Sequence, residues 1–275
     1  AISLEAVSQH LTQVAEISLQ QTLKLAQRDL IARHGVPRYH TDGKTHVAPF
    51  AVIAYGKFGG LELGYGSDLD MVFVHGSQGE EQHTDGERRI ENSVFFVRLA
   101  QRIIHFLSTH TAAGILYTAD ARLRPSGSDG LLVTSLENFE EYQFEVAWTW
   151  EHQALVRARF VAGDRMLECR FKDIRRRILT KKRIAEDLRR DVREMRYRMH
   201  RQLGSSRKGW FDIKQDAGGI ADIEFMVQYA TLRWSRKLRN SLQFTDNSRL
   251  LESMGANGLL KPDEVSALTD VYTHY

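Results

Sequence analysis

Apolar residues recur at helical spacing at the start of the chain. Leu4, Val7, Leu11, Val14, Ser18 and Leu25 fall near one face until Gly35, Val36 and Pro37 break the repeat. This spacing predicts a long first helix. Tyr39–His46 reads as a polar link, and the apolar runs Phe50–Tyr55 and Leu69–His75 have the length of buried strands. Thr84, with Glu87 three residues on, has the form of a capping box, and Ile90, Val94, Val97, Gln101 and Ile104 continue at helical steps. A second long helix is expected to end near His110. Gly114 then opens an expected strand, Ile115–Leu123, and Pro125, Gly127 and Gly130 mark a turn into the short apolar run Leu131–Val133.

Beyond Ser135 strand signals almost disappear. Helical patterns run through Leu136–Val161, Ile174–Leu203, Ile220–Trp234, Asn247–Met254 and Pro262–Tyr275. Two domains are expected: residues 1–162, with strands, helices and the N-terminal helix, and residues 163–275, all helical, with Ala162–Gly163 as a helix stop. The last pattern is still running at Tyr275, so the second domain is expected to continue in a longer natural chain.

Composition narrows the class. Of 275 residues, 42% are hydrophobic and 27% charged, which fits a folded chain rather than long disorder. No apolar run approaches the ~18–20 residues of a membrane span. Ala1–Gln20 lacks a basic start and is interrupted by Glu5 and Glu16, unlike a signal peptide. One cysteine, Cys169, rules out an internal disulfide or a cysteine zinc site, and a cytoplasmic setting is expected. Net charge is only +3, yet Arg170–Arg201 holds fourteen Lys/Arg against five Asp/Glu. Ile184, Leu188, Val192, Met195 and Met199 give that stretch an apolar stripe, so it reads as an amphipathic helix with a solvated basic face. Nucleic acid is not the expected partner; an acidic partner or a phosphate is the alternative use of the face.

The chemistry concentrates in Tyr55–Val74. A glycine-dense turn feeds an apolar strand that opens on two carboxylates, Asp68 and Asp70, two residues apart and so on one face. Such a pair is either solvated at a strand end or shares a cation, and Mg²⁺ with substrate phosphate oxygens suits it. Gly59, Gly60, Gly64 and Gly66 would let backbone N–H groups approach phosphates, with Ser67 and Lys57 as further donors. Strand alternation also aligns Asp120, Arg122 and Arg124, as a third carboxylate with two guanidinium forks or as a surface ion-pair ladder. Asp222 and Glu224 lie on different faces of one helix, where Asp222 favours the positive end and Gly218-Gly219 forms the entering turn; a role for Lys214, Asp222 or Glu224 at a nucleotide cleft is the alternative. Trp148, Trp150 and His152 read as packing residues.

Gly-Ser-Asp-x-Asp with a later strand carboxylate resembles the DNA-polymerase-β-like nucleotidyltransferase superfamily. Closer still is the glutamine synthetase adenylyltransferase family. The resemblance is carried by Gly56-Lys-Phe-Gly-Gly-Leu-Glu-Leu with Gly-Ser-Asp-Leu-Asp70, Asp120-Ala-Arg-Leu-Arg-Pro-Ser-Gly127, Trp150–Arg159 and Gly218–Phe225. The form Gly-Tyr-Gly-Ser-Asp-Leu-Asp resembles the C-terminal, adenylylating half of that bifunctional enzyme. It implies an α+β fold, a polymerase-β-like core of small mixed sheet and helices followed by an all-helical domain. It also implies AMP transfer from ATP to a tyrosine of glutamine synthetase. Asp68, Asp70 and Asp120 would hold two Mg²⁺ ions, with Asp120 as base, while Lys57, Gly66, Ser67, Arg122 and Arg124 grip the triphosphate. The nitrogen-signalling PII protein is an implied partner and a membrane is not. Transfer to another acceptor, or a silent nucleotide- or partner-binding module, are the competing functions.

Overall fold

The computed structural model describes residues 3–205 and 209–274. Tyr275, where the last helical pattern is still running, lies outside the described residues. Helix α1 (Leu4–His34) starts where the Ser3 hydroxyl accepts the Ala6 N–H and stops at Gly35. The length agrees with the pattern but the buried face does not. Leu4, Val14 and Leu25 are exposed, while Ala15, Leu19, Leu23, Ala26 and Leu30 are buried with Thr12 and Thr22. Small alanines and threonines allow close approach of the helix, a stripe that counting large apolar residues passes over.

The expected polar link is instead a hairpin, β1 (Pro37–Thr41) and β2 (Lys44–Val47). Its tight turn is Asp42-Gly43, with φ of 50° and 71°, the left-handed pair that Asp-Gly supplies most readily. Next come β3 (Phe50–Ala54), the single helical turn α2 (Gly56–Gly59) and β4 (Leu69–His75). Strand β5 (Glu80–Thr84) pairs antiparallel with β1. Thr84 is no helix cap: it ends that strand and its hydroxyl accepts the Ile90 N–H, closing a loop before helix α3 (Asn92–Ser108). The expected strand Ile115–Leu123 shrinks to β6 (Ala119–Asp120), followed by β7 (Val133–Ser135).

The expected helix over 136–161 is three elements: α4 (Leu136–Glu145), α5 (Thr149–Val156) and strand β8 (Arg159–Gly163). Gly163 therefore ends a strand, not a helix. The remaining helices are α6 (Arg165–Leu179), α7 (Ala185–Leu203), α8 (Ile220–Arg233), α9 (Asn247–Ala256) and α10 (Pro262–His274). No described helix is long and apolar enough to cross a membrane.

The fold is α+β, and its contacts form two compact units. One is Ala1–Val146 with Ala158–Ile174, the other Ala147–Arg157 with Arg175–Tyr275. All the described strands belong to the first. A small sheet runs β2-β1-β5, and the main sheet runs β6-β4-β3-β8 with β7 also on β4. Strand β4 is antiparallel to β3, and its other edge is shared by two parallel partners, β6 at its start and β7 further along. Beneath it, Phe50, Phe73 and Phe96 stack with centroids 5.5–6.0 Å apart, and α1 and α3 complete the core. Each such ring is worth roughly 1.5–3 kcal/mol when buried. The core thus fixes the sheet and leaves Asp70, at the leading end of β4, only half-buried.

Candidate functional site

Residues of β4 and β6 meet in parallel register, Leu69 opposite Ala119 and Asp70 opposite Asp120. The Leu69 N–H donates to the Thr118 carbonyl at 2.8 Å, so two carboxylates from distant parts of the chain end side by side. Leu69 and Met71 are buried while Asp68 is exposed and Asp70 half-buried, which is the expected alternation. Asp68 itself stands just ahead of the strand. Asp70 lies against Gly56 at the start of α2: a Cβ on Gly56 would fall 2.1 Å from Asp70 Oδ2, and its φ is +53°. Only glycine lets the backbone pass that close.

Arg159 on β8, which the sequence reading gave no role, anchors the other end of α2. Its guanidinium donates to the Phe58 and Gly59 carbonyls, both at 2.9 Å, pairs with Glu16 of α1 and lies 5.7 Å from the Phe58 ring centroid. The clamp fixes the helical turn whose first residue shapes the seat of Asp70. Lys57 on the same turn is exposed. The Gly64–Ser67 turn is closed by Ser67 N–H to the Gly64 carbonyl and by Gly64 N–H to Ser67 Oγ, 3.2 and 3.0 Å. At its tip Tyr65 is 86% exposed beside left-handed Gly66.

Strand alternation fails past Asp120. Arg122 turns back so that its backbone N–H and guanidinium both bond the Asp120 carboxylate. These bonds, led by the guanidinium, hold Asp120 below the usual carboxylate range. In turn Asp120, and more weakly Asp70 and Asp68, keep Arg122 protonated, which places all three carboxylates in one electrostatic neighbourhood. Arg124 is spent otherwise, on the carbonyls of Ala121, Ser128 and Gly130 in its own loop. Among the described residues no three Asp, Glu, His or Cys side chains stand in a metal-binding cluster. The donor chemistry nevertheless suits Mg²⁺: anionic carboxylate oxygens, two of them in facing register.

Sequence comparison gives this arrangement a context. Residues 1–174 match the family described as glutamate-ammonia ligase adenylyltransferase. The chain is 52% identical over 274 residues to a protein of Thioalkalivibrio sulfidiphilus named bifunctional glutamine synthetase adenylyltransferase/adenylyl-removing enzyme, covering 100% of this chain. It belongs to the glutamate-ammonia ligase adenylyltransferase family. Proteins of the same name from Nitrosococcus oceani and Hahella chejuensis are 48% and 47% identical, over 100% and 98% of the chain. The chain spans about 28% of the length of these relatives. Residues 186–275 also match the family described as GlnD PII-uridylyltransferase.

Within the second unit, two motifs that carried the likeness to the adenylyltransferase family are bound to each other. Arg157, at the end of α5, pairs with Glu224 of α8, and Gln153 Nε2 donates to Gln228 Oε1 at 3.2 Å. Asp222 faces elsewhere, accepting the Gly218 N–H at 2.6 Å and pairing with Arg196 of α7. The two acids thus take different faces, and Asp222 serves the helix start. Glu151 accepts the Trp148 N–H at 2.9 Å, and His152 is buried. Trp148 departs from its expected packing role: it precedes α5 and is 71% exposed.

Proposed function

We propose that the chain transfers AMP from ATP to a tyrosine hydroxyl of glutamine synthetase, releasing pyrophosphate, as the adenylylating half of its bifunctional relatives. The observation that carries this reading is the side-by-side placement of Asp70 and Asp120 on parallel strands, with Gly56 and Arg122 against them. The names of the relatives supply the acceptor, and the Gly-Tyr-Gly-Ser-Asp-Leu-Asp turn favours the adenylylating half. In this reading the strand-bearing unit is a polymerase-β-like nucleotidyltransferase core and the other unit an all-helical domain, with the expected boundary at 162–163 replaced by an exchange: Ala147–Arg157 joins the helical unit and Ala158–Ile174 the core.

Asp68, Asp70 and Asp120 would hold Mg²⁺, two ions in this proposal. Once bound, the metal supplies positive charge against the phosphate oxygens. Lys57 and Arg122 would donate to the triphosphate, together with the Gly66 N–H and the Ser67 hydroxyl. Arg124, already bonded within its loop, contributes by shaping that loop. The tyrosine oxygen bonds to the α-phosphorus as the bond to the α–β bridging oxygen breaks, and pyrophosphate leaves. A tyrosine hydroxyl of pKa about 10 must also lose its proton. Asp120 is a weak base while Arg122 holds it, so phosphate binding that draws Arg122 away both grips substrate and frees the carboxylate. PII is a proposed regulatory partner, supported by the PII-uridylyltransferase match of residues 186–275.

The test is label transfer to purified glutamine synthetase with Mg²⁺. Label from α-labelled ATP, but none from γ-labelled ATP, should appear on a tyrosine of the acceptor. Label from the γ-position, or labelled RNA with unlabelled glutamine synthetase, would overturn the proposal.

A further inference from the structure

In the second unit, α7 and α8 border a groove of about 1210 Å³. Small-molecule pockets usually enclose roughly 300–1,000 Å³, so the groove is better sized for a peptide segment. Its α7 wall carries Arg189, Arg193 and Arg196, a cationic stripe at steps of four and three residues, with His200 one step further along. The exposed side chains of Arg189 and Arg193 make no hydrogen bond or ion pair among the described residues. Arg196 is bound to Asp222 and to the Gln215 carbonyl, yet its Nη1 is buried without a partner. The acids along the groove offset this only in part: Asp222 is committed to Arg196, Glu194 lies 3.6 Å from Arg198, and Glu186 stands in the first turn of α7. Val192, Phe225 and Met226 supply apolar surface beside the stripe.

Cations at helical spacing along one wall, with apolar side chains beside them, complement a helix whose carboxylates and apolar residues repeat at the same steps. We propose that this groove docks an acidic amphipathic helix of the acceptor protein, deepening the function proposed above and resting on it. The stripe would steer and orient glutamine synthetase.

The test compares the chain with its Arg189→Glu, Arg193→Glu double variant and, as a milder change, the corresponding double glutamine variant. Direct binding to glutamine synthetase is measured alongside label transfer at low and high salt. Binding by the double glutamate variant should be at least about tenfold weaker at low salt, with a matching rise in KM for glutamine synthetase and KM for ATP unchanged. High salt should narrow the difference, since exposed charges are screened over ~8–10 Å. Binding and both KM values unchanged in the folded variants would overturn the docking surface. So would a loss confined to ATP, or one confined to binding of single-stranded RNA. Salt-sensitive binding lost in the variant, without any transfer by the parent chain, would uphold the surface while refuting the proposed reaction.

Discussion

Single residues carry the chemistry through what they touch. Gly56 is an example: substituting Ala would drive a methyl into the Asp70 carboxylate and impose a left-handed φ on a residue with a side chain. The strain should cost only about 1–2 kcal/mol of stability, whereas transfer should fall at least about tenfold as the carboxylate moves. Urea unfolding and label transfer on Gly56→Ala measure the two effects. His75, at the far end of β4, is a titrating residue with a structural effect. Burial lowers its pKa to about 4 against a nearby Glu137 that raises it, and the neutral ring accepts the Ser77 N–H at 3.2 Å and stacks on Phe96. With the folded pKa below the unfolded value of 6.5, His75's contribution is complete above pH 6.5 and lost as pH falls toward 4. From pH 7 to 5 that is about 2 kcal/mol, a loss absent in His75→Gln and readable by denaturant unfolding at the two pH values. In the sequence Asp68 and Asp70 stand out as candidates because they open an apolar strand after a glycine-rich turn, and Asp120 because alternation groups it with Arg122 and Arg124. The sequence hid Arg159 and the inward turn of Arg122, which depend on contacts between distant segments and on where a strand stops.

At the scale of elements, periodicity was informative wherever one face is buried by large side chains. Strand β4 and helices α8 and α9 begin where the pattern places them. It misled where small residues pack, as along α1, and where short strands lack alternation, as in β6 and β8. The Asp42-Gly43 turn was a readable signal for the missed hairpin. The motifs shared by α5 and α8 make an energetic claim of their own. Arg157 is almost wholly buried, with 4% of its side chain exposed, and pairs with Glu224. Glu224→Ala should therefore lower stability, by up to about 3 kcal/mol, because a buried guanidinium loses one charged partner. Glu224→Gln, which can still accept a hydrogen bond, should cost less. An unfolding free energy equal to that of the parent chain in both variants would contradict the pairing.

The molecule has one unit that holds every described strand and the carboxylate edge, and a helical unit in which two family motifs are joined by the Arg157–Glu224 pair. Recognisable turns and spacing disclosed the first kind of feature, while pairings between helices far apart in sequence needed the structure. We propose the β4–β6 edge as the transfer site. Its most direct test is the rate of AMP transfer to glutamine synthetase by Asp70→Asn and Asp120→Asn, each shown by circular dichroism to be folded. Each should fall by at least about 10²-fold, because either change removes carboxylate charge from a site that works by electrostatics. Full transfer by both folded variants would place the chemistry elsewhere.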